Sequence, residues 1–169
     1  MLKKSLTGFG LLLASGLLLP LHAQTTDDEA EKEWAEVALH LPGAPDASNL
    51  VSFYASGSQS FAIDVKSLSI TGDGIIRYSL VAVSSSGAKN VSYEGIRCST
   101  YEKKLYAFGR PDGSWSRSRR NQWDHISALN VNKQHSTLFN DYFCDGNSIA
   151  GKASVIIDRI KRHQVIKPY

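Results

Sequence analysis

The apolar positions change period along the chain, and each change predicts an element. After Met1, Leu2, Lys3 and Lys4, the residues from Leu6 to Leu19 are mostly apolar, with no polar face. Trp34, Val37, Ala38 and Leu41 then recur at the i, i+3, i+4, i+7 spacing of one helical face. This predicts a short docking helix that Pro42 ends. From Leu50 the period shortens. Phe61, Ile63 and Val65 alternate with Ala62, Asp64 and Lys66, the pattern of a strand with one buried and one mostly wet face. Thr71, Gly72, Asp73 and Gly74 read as a turn, and Ile75 to Val83 is an almost continuous apolar run with Arg77 inside it. A run of that kind is expected to be a central strand. Ser84 to Asn90 reads as a polar loop, and Val91 to Cys98 and Lys103 to Phe108 as two further strands, which together make an antiparallel meander.

Beyond the turn at Asp112 and Gly113 the period lengthens again. Trp123, Ile126 and Leu129 are spaced by three, and His135, Leu138, Phe139, Tyr142 and Phe143 follow one face of an amphipathic helix. Val155, Ile156, Ile157 and Ile160 suggest a last strand or short helix, with Arg159, Lys161 and Arg162 opening a basic tail. Strands first and helices later indicate an α+β fold: an antiparallel meander sheet with C-terminal helices packed on one face.

The first apolar run reads as a cleavable secretory signal peptide over residues 1–23, with two lysines ahead of it and Ala23 at the cut. It is shorter than the roughly 20 apolar residues that span a bilayer. No cysteine stands near the cut to accept a lipid, and no later apolar run is long enough to be a membrane segment. Residues 24–33 form an acidic leader and 34–169 a single domain. From Gln24 to Glu36 the acids Asp27, Asp28, Glu29, Glu31, Glu33 and Glu36 face only Lys32, a net −5. Such a leader is either a solubilising tail or a segment resting on a basic body. With 169 residues, 42% hydrophobic and 21% charged, the chain is neither disordered nor collagenous nor a multi-span membrane protein. Its formal charge of +3 falls to +1 once Lys3 and Lys4 leave with the signal peptide, which removes the basis for nucleic-acid binding.

Cys98 and Cys144 are the two cysteines of an exported chain, so a disulfide is expected before a metal site or a nucleophile. There is no C-x-x-C to favour a redox-active thiol. The bond would pin the helix ending at Cys144 to the strand ending at Cys98. His40, His125, His135 and His163 show no metal-ligand spacing, and His135, on the apolar face of its helix, is expected to be a hydrogen-bonded core residue. No G-x-S-x-G elbow, S-x-x-K, P-loop or G-x-G-x-x-G is present. Asp73 and Asp112 each precede a glycine and read as turn formers. No catalytic residue, cofactor or metal is therefore expected.

One stretch points to binding. Arg110, Trp115, Arg117, Arg119, Arg120 and Trp123 interleave guanidinium groups with indoles in a loop leading into a helix. Guanidinium forks match carboxylates and phosphates, and indole faces stack on sugars or cations. Cell-wall glycan, another anionic polymer or an acidic envelope protein would fit. The competing reading has Trp115 and Trp123 in the core and the arginines solvated or facing the acidic leader.

The string from Ser86 to Cys98, which includes Tyr93, Glu94, Gly95, Ile96, Arg97 and Cys98, resembles the CNP-one-like family of bacterial envelope proteins. So do Asp73 to Tyr78, Tyr106 and Ala107, Asp112 to Trp115, Trp123, His135, and Asp141 to Cys144. The resemblance runs from about Trp34 to Cys144 and implies an exported, periplasmic domain of Gram-negative bacteria. It implies no activity and hands no residue a catalytic role. The expectation is a periplasmic, non-enzymatic binding or envelope-associated accessory domain. The alternatives are a hydrolase assembled from dispersed residues around His125 or His135, and a purely structural partner of an envelope protein.

Overall fold

The computed structural model describes residues 34–127 and 133–167. The signal peptide and acidic leader expected over 1–33, and Leu129, lie outside these residues. In chain order come β1 (Leu50–Ala55), β2 (Gln59–Ile70), β3 (Ile75–Ser84), β4 (Lys89–Arg97), β5 (Glu102–Gly109), β6 (Trp115–Arg117), β7 (Asp124–His125), α1 (Lys133–Thr137), a π-helical continuation over Leu138–Phe143, β8 (Cys144–Asp145), β9 (Ser148–Ile149) and α2 (Ala153–Lys161). The first six strands lie side by side in the order of the sequence, and β7 also pairs with β5. Every pairing is antiparallel. The meander and the C-terminal helices are those the periodicity predicts, and the last apolar run resolves as the helix α2.

Alternation along β3 divides the sheet into two faces. Ile76, Tyr78 and Leu80 point toward the helices and join Phe61, Ile63, Ile96, Leu138, Phe143, Ile156 and Ile160 in the main core. The other face carries a smaller cluster in which Tyr93, Tyr106 and Ala107 receive the half-buried Leu39, Leu41 and Trp115. Gly95 permits that cluster: a Cβ there would meet Ile75 Cγ2 and Tyr106 Cε2 at 2.9 Å each, so only glycine lets the Tyr106 ring lie across β4.

The disulfide joins Cys98, immediately after β4, to Cys144, immediately after the π-helical turn, and so ties the helical layer to the middle of the sheet. Arg159 of α2 reinforces the same junction, donating to the carbonyls of Tyr142 at 2.8 Å and Ala150 at 3.1 Å.

Several expectations need correcting. The segment from Trp34 to Asp46 forms no helix. Its Leu39 and Leu41, two apart, turn to the second cluster, while Trp34 and Val37 stay 44% exposed. Main-chain bonds to Asp73 and Arg77 take the place of a helical ladder. Asp64, expected on a wet face, is buried: it is paired on both sides, with Leu50 of β1 and Ser79 of β3, at the start of a bulge that shifts the β2–β3 register between Asp64 and Ser69. Within the bulge Lys66 N donates to Asp64 Oδ1 at 2.9 Å and the Ser67 hydroxyl to the Asp64 carbonyl at 2.7 Å. The helix expected through Phe143 is α-helical for one turn only and then widens. The Arg and Trp stretch does not lead straight into a helix: β7 follows Trp123.

Candidate functional site

A tight turn builds the first candidate. The hairpin between β5 and β6 closes when Arg110 N donates to the Ser114 carbonyl at 2.8 Å and Gly113 N to the Arg110 carbonyl at 3.0 Å. Gly113 supplies the positive φ of 83° that the turn needs. Asp112 Oδ1 accepts from Ser114 N at 2.9 Å, so Asp112 is the turn former expected. Gly109 lies against Val91, where a Cβ would come to 2.8 Å. The result is a pocket of about 350 Å³ whose lining includes Ala44, Pro45, Lys89, Val91, Arg110 and Trp115. Trp115 is held in place by its Nε1, which donates to the Pro42 carbonyl at 2.7 Å, and by the Tyr93 ring at 6.0 Å. The pocket thus presents two cationic side chains beside an indole and a hydrophobic wall. Among the described residues no carboxylate stands within salt-bridge distance of Lys89 or Arg110, although the Asp112 carboxyl of the same turn is held low by its bonds to Ser114 and, after them, by the Arg110 charge.

Of the stretch singled out in the sequence, Arg110 and Trp115 meet in this pocket. Arg117 and Arg119 are exposed and do not line it. Arg120 is turned to Asp124, at 2.6 Å, and to Gln122. Trp123 belongs to a different group, on the second face of the sheet. Lys89, placed by sequence reading in a polar loop, begins β4 instead and is the residue of the pocket that reading missed.

That second face carries a buried charge network. Arg77 donates from Nη2 to Asp73 Oδ2 at 2.9 Å and to the Val37 carbonyl at 3.2 Å, and from Nη1 to the Thr71 hydroxyl. Glu36 bridges Lys104 Nζ at 2.6 Å and Arg77 Nη2 at 3.5 Å. Arg97 pairs with Glu102 and lies between two indoles, 4.3 Å from the Trp34 ring centre and 4.8 Å from that of Trp123. Burial alone would raise the carboxyl of Glu36, but Lys104, Tyr106 and Arg77 outweigh it and hold it low. Asp73 is likewise held low against its burial by the Thr71 hydroxyl, the Val37 amide and Arg77. Asp73 therefore does more than form a turn. An arginine inside an apolar strand pattern is the sequence signal for such a partner, because a guanidinium is buried only with compensating carboxylates.

On the opposite face His135 is the hydrogen-bonded core histidine expected, with Nε2 2.7 Å from Glu94 Oε2. The Tyr78 hydroxyl donates to the same oxygen at 3.2 Å and the Ser92 hydroxyl to Oε1 at 2.7 Å. Burial pushes Glu94 up, yet His135 and Ser92 overcome it and hold it at about 2. His135 lines neither the pocket at Arg110 nor a shallower one of about 450 Å³ beside Lys133 and Asn140, and His125 stands exposed against the Tyr101 ring. Among the described residues no three His, Cys, Asp or Glu side chains converge as metal ligands would. No helix among them is long and apolar enough to cross a membrane.

Comparison with known proteins gives one result: residues 29–161 match the family model described as the CNP1-like family. No curated protein and no solved structure matches the chain.

Proposed function

Since the chain belongs to the CNP1-like family, and its sequence opens on a signal-peptide pattern, we propose that it acts as an exported, periplasmic, non-enzymatic domain that binds an anionic envelope glycan. The pocket formed by Lys89, Arg110 and Trp115 carries the proposal. Its volume falls within the range of roughly 300–1,000 Å³ typical of small-ligand sites. Two cations beside an indole match a sugar ring bearing carboxylate or phosphate: the ring stacks, and the cations take the charge. The rigid hairpin and the Trp115 to Pro42 hydrogen bond fix the indole before ligand arrives, so little ordering entropy is lost on binding.

The test compares retention of the oxidised protein on purified cell-wall sacculi, with and without their anionic polymers. The double variant K89Q/R110Q should lose about a hundredfold in affinity, about tenfold for each charge-assisted hydrogen bond removed. R117Q/R119Q/R120Q, altered outside the pocket, should be retained like the parent. Equal retention of all three proteins would refute the pocket, and a loss confined to the triple variant would move binding to the exposed arginines.

A further inference from the structure

One wall of the pocket at Lys89 and Arg110 belongs to neither the sheet nor the hairpin. Ala44 and Pro45 supply it, and they come from a stretch, residues 34–46, that forms no helix and no strand. A chain without its own hydrogen-bonded ladder keeps its place only through its anchors, and such segments open locally before the core does.

The anchors form two groups. In the first, Trp34 Nε1 donates to the Asp73 carbonyl at 2.8 Å, Val37 N–H donates to Asp73 Oδ2 at 2.8 Å, and the Val37 carbonyl accepts from Arg77 at 3.2 Å. Glu36 completes this group by accepting from Lys104 Nζ at 2.6 Å. It is the only carboxylate between Trp34 and Pro45, and among the described residues it is the only ion-pair partner of the buried Lys104. Trp34 and Val37 stay exposed, so these polar contacts rather than burial hold that end. In the second group, Leu39 and Leu41 pack with Trp115 against Tyr93, Tyr106 and Ala107, and the Pro42 carbonyl accepts from Trp115 Nε1 at 2.7 Å. Lys89, Val91 and Tyr93 share one face of β4, so this cluster and the pocket lie on the same side of the sheet. Between Glu36 and Pro45 the chain thus passes from the buried charge network to the pocket wall, and the bond that fixes the pocket's indole goes to this segment.

We propose that residues 34–45 are a strap whose seating completes the pocket, so that glycan binding and strap seating are coupled, with Glu36 as a positioning residue that acts through Pro42 and Trp115. The inference rests on the reading of that pocket as a glycan site. Glu36 itself does not line the pocket. Coupling of this kind is reciprocal: a ligand that needs the seated strap holds the strap down, and a strap that lifts weakens the ligand.

The experiment titrates soluble glycan fragments, cut from sacculi that carry their anionic polymers, into the isotope-labelled, oxidised protein. The Trp115 indole N–H signal reports the pocket, and amide hydrogen exchange at Val37 reports the distant end of the strap, with the slow amides of β3 as reference. At a fragment concentration about ten times Kd, exchange at Val37 should slow about tenfold, as it does when ligand binds only the seated form. In K89Q/R110Q the same concentration should leave Val37 exchange unchanged. E36Q should speed Val37 exchange without fragments, leave the β3 amides slow, and lower fragment affinity at least about threefold, because only the seated fraction binds. Should E36Q lose the parent's disulfide or far-ultraviolet spectrum, the parent's Val37 exchange decides by itself. Fragments that shift the Trp115 signal but leave Val37 exchange unchanged overturn the coupling alone, as does a folded E36Q that exchanges faster at Val37 yet binds like the parent. Fragments that leave the Trp115 signal unmoved overturn the glycan reading, and the coupling with it.

Discussion

Glu94 and His135, 41 positions apart in the chain, meet at 2.7 Å in the core, and the sign of their effect on acid stability follows from the direction of the Glu94 shift. Its carboxyl titrates at about 2 in the folded chain against an ordinary 4.5. A group whose folded value is depressed stabilises the fold above its unfolded value, and that contribution disappears as pH falls from there toward the folded one. A melting curve followed from pH 5 to pH 2 should therefore show a steady loss, of which Glu94 accounts for about 3 kcal/mol. E94Q should be less stable at neutral pH and should flatten the slope without abolishing it, because Glu36 and Asp73 are also held low. A slope identical in parent and E94Q would show that Glu94 does not contribute. The helical spacing around His135 marks it as a core residue from sequence alone. Its partner was not legible, because Glu94 sits in an ordinary strand pattern and nothing local ties it to a residue in a helix.

Elements formed where a single period ran long enough to dominate. The apolar run from Ile75 to Val83 and the turns around Asp73 and Asp112 specify β3 and its neighbours with little ambiguity. The segment at Trp34 shows how a short pattern misleads: four apolar residues at helical spacing are outweighed when Asp73 and Arg77 bind the backbone and Leu39 and Leu41 find the Tyr93 and Tyr106 cluster. The disulfide links elements separated by 46 positions. In the loop-entropy account, closing a loop of that length stabilises the fold by about 4 kcal/mol. The variant C98A/C144A should accordingly show a much lower midpoint in urea, with the helical layer around Leu138 to Phe143 losing amide protection before the β3–β4 pair. A change below about 1 kcal/mol would mean that sheet and helices hold together without the staple.

At the scale of the whole molecule, charge is sorted by depth rather than by sequence block. The buried cations Arg77 and Lys104 are met by Glu36 and Asp73, whereas Lys89 and Arg110 stand at a pocket. Glu36, the one member of the acidic run among the described residues, lies on Arg77 and Lys104; the leader over residues 24–33 lies outside the described residues. The export reading makes its own prediction. Expressed in a Gram-negative host, the chain should be released by osmotic shock with an intact mass lacking residues 1–23 and with no free thiol. Full-length chain retained in the cytoplasm would rule that reading out. Local periodicity and turn chemistry sufficed for the meander, the C-terminal helices and the cysteine pair, because each depends on residues close in the chain or on a count that leaves few pairings. The pocket at Lys89, the docked segment at Trp34 and the Glu94 to His135 pair depended on the tertiary structure. Each joins side chains from segments distant in the chain, and a buried charge chooses its partner by distance in space, which no spacing along the chain encodes.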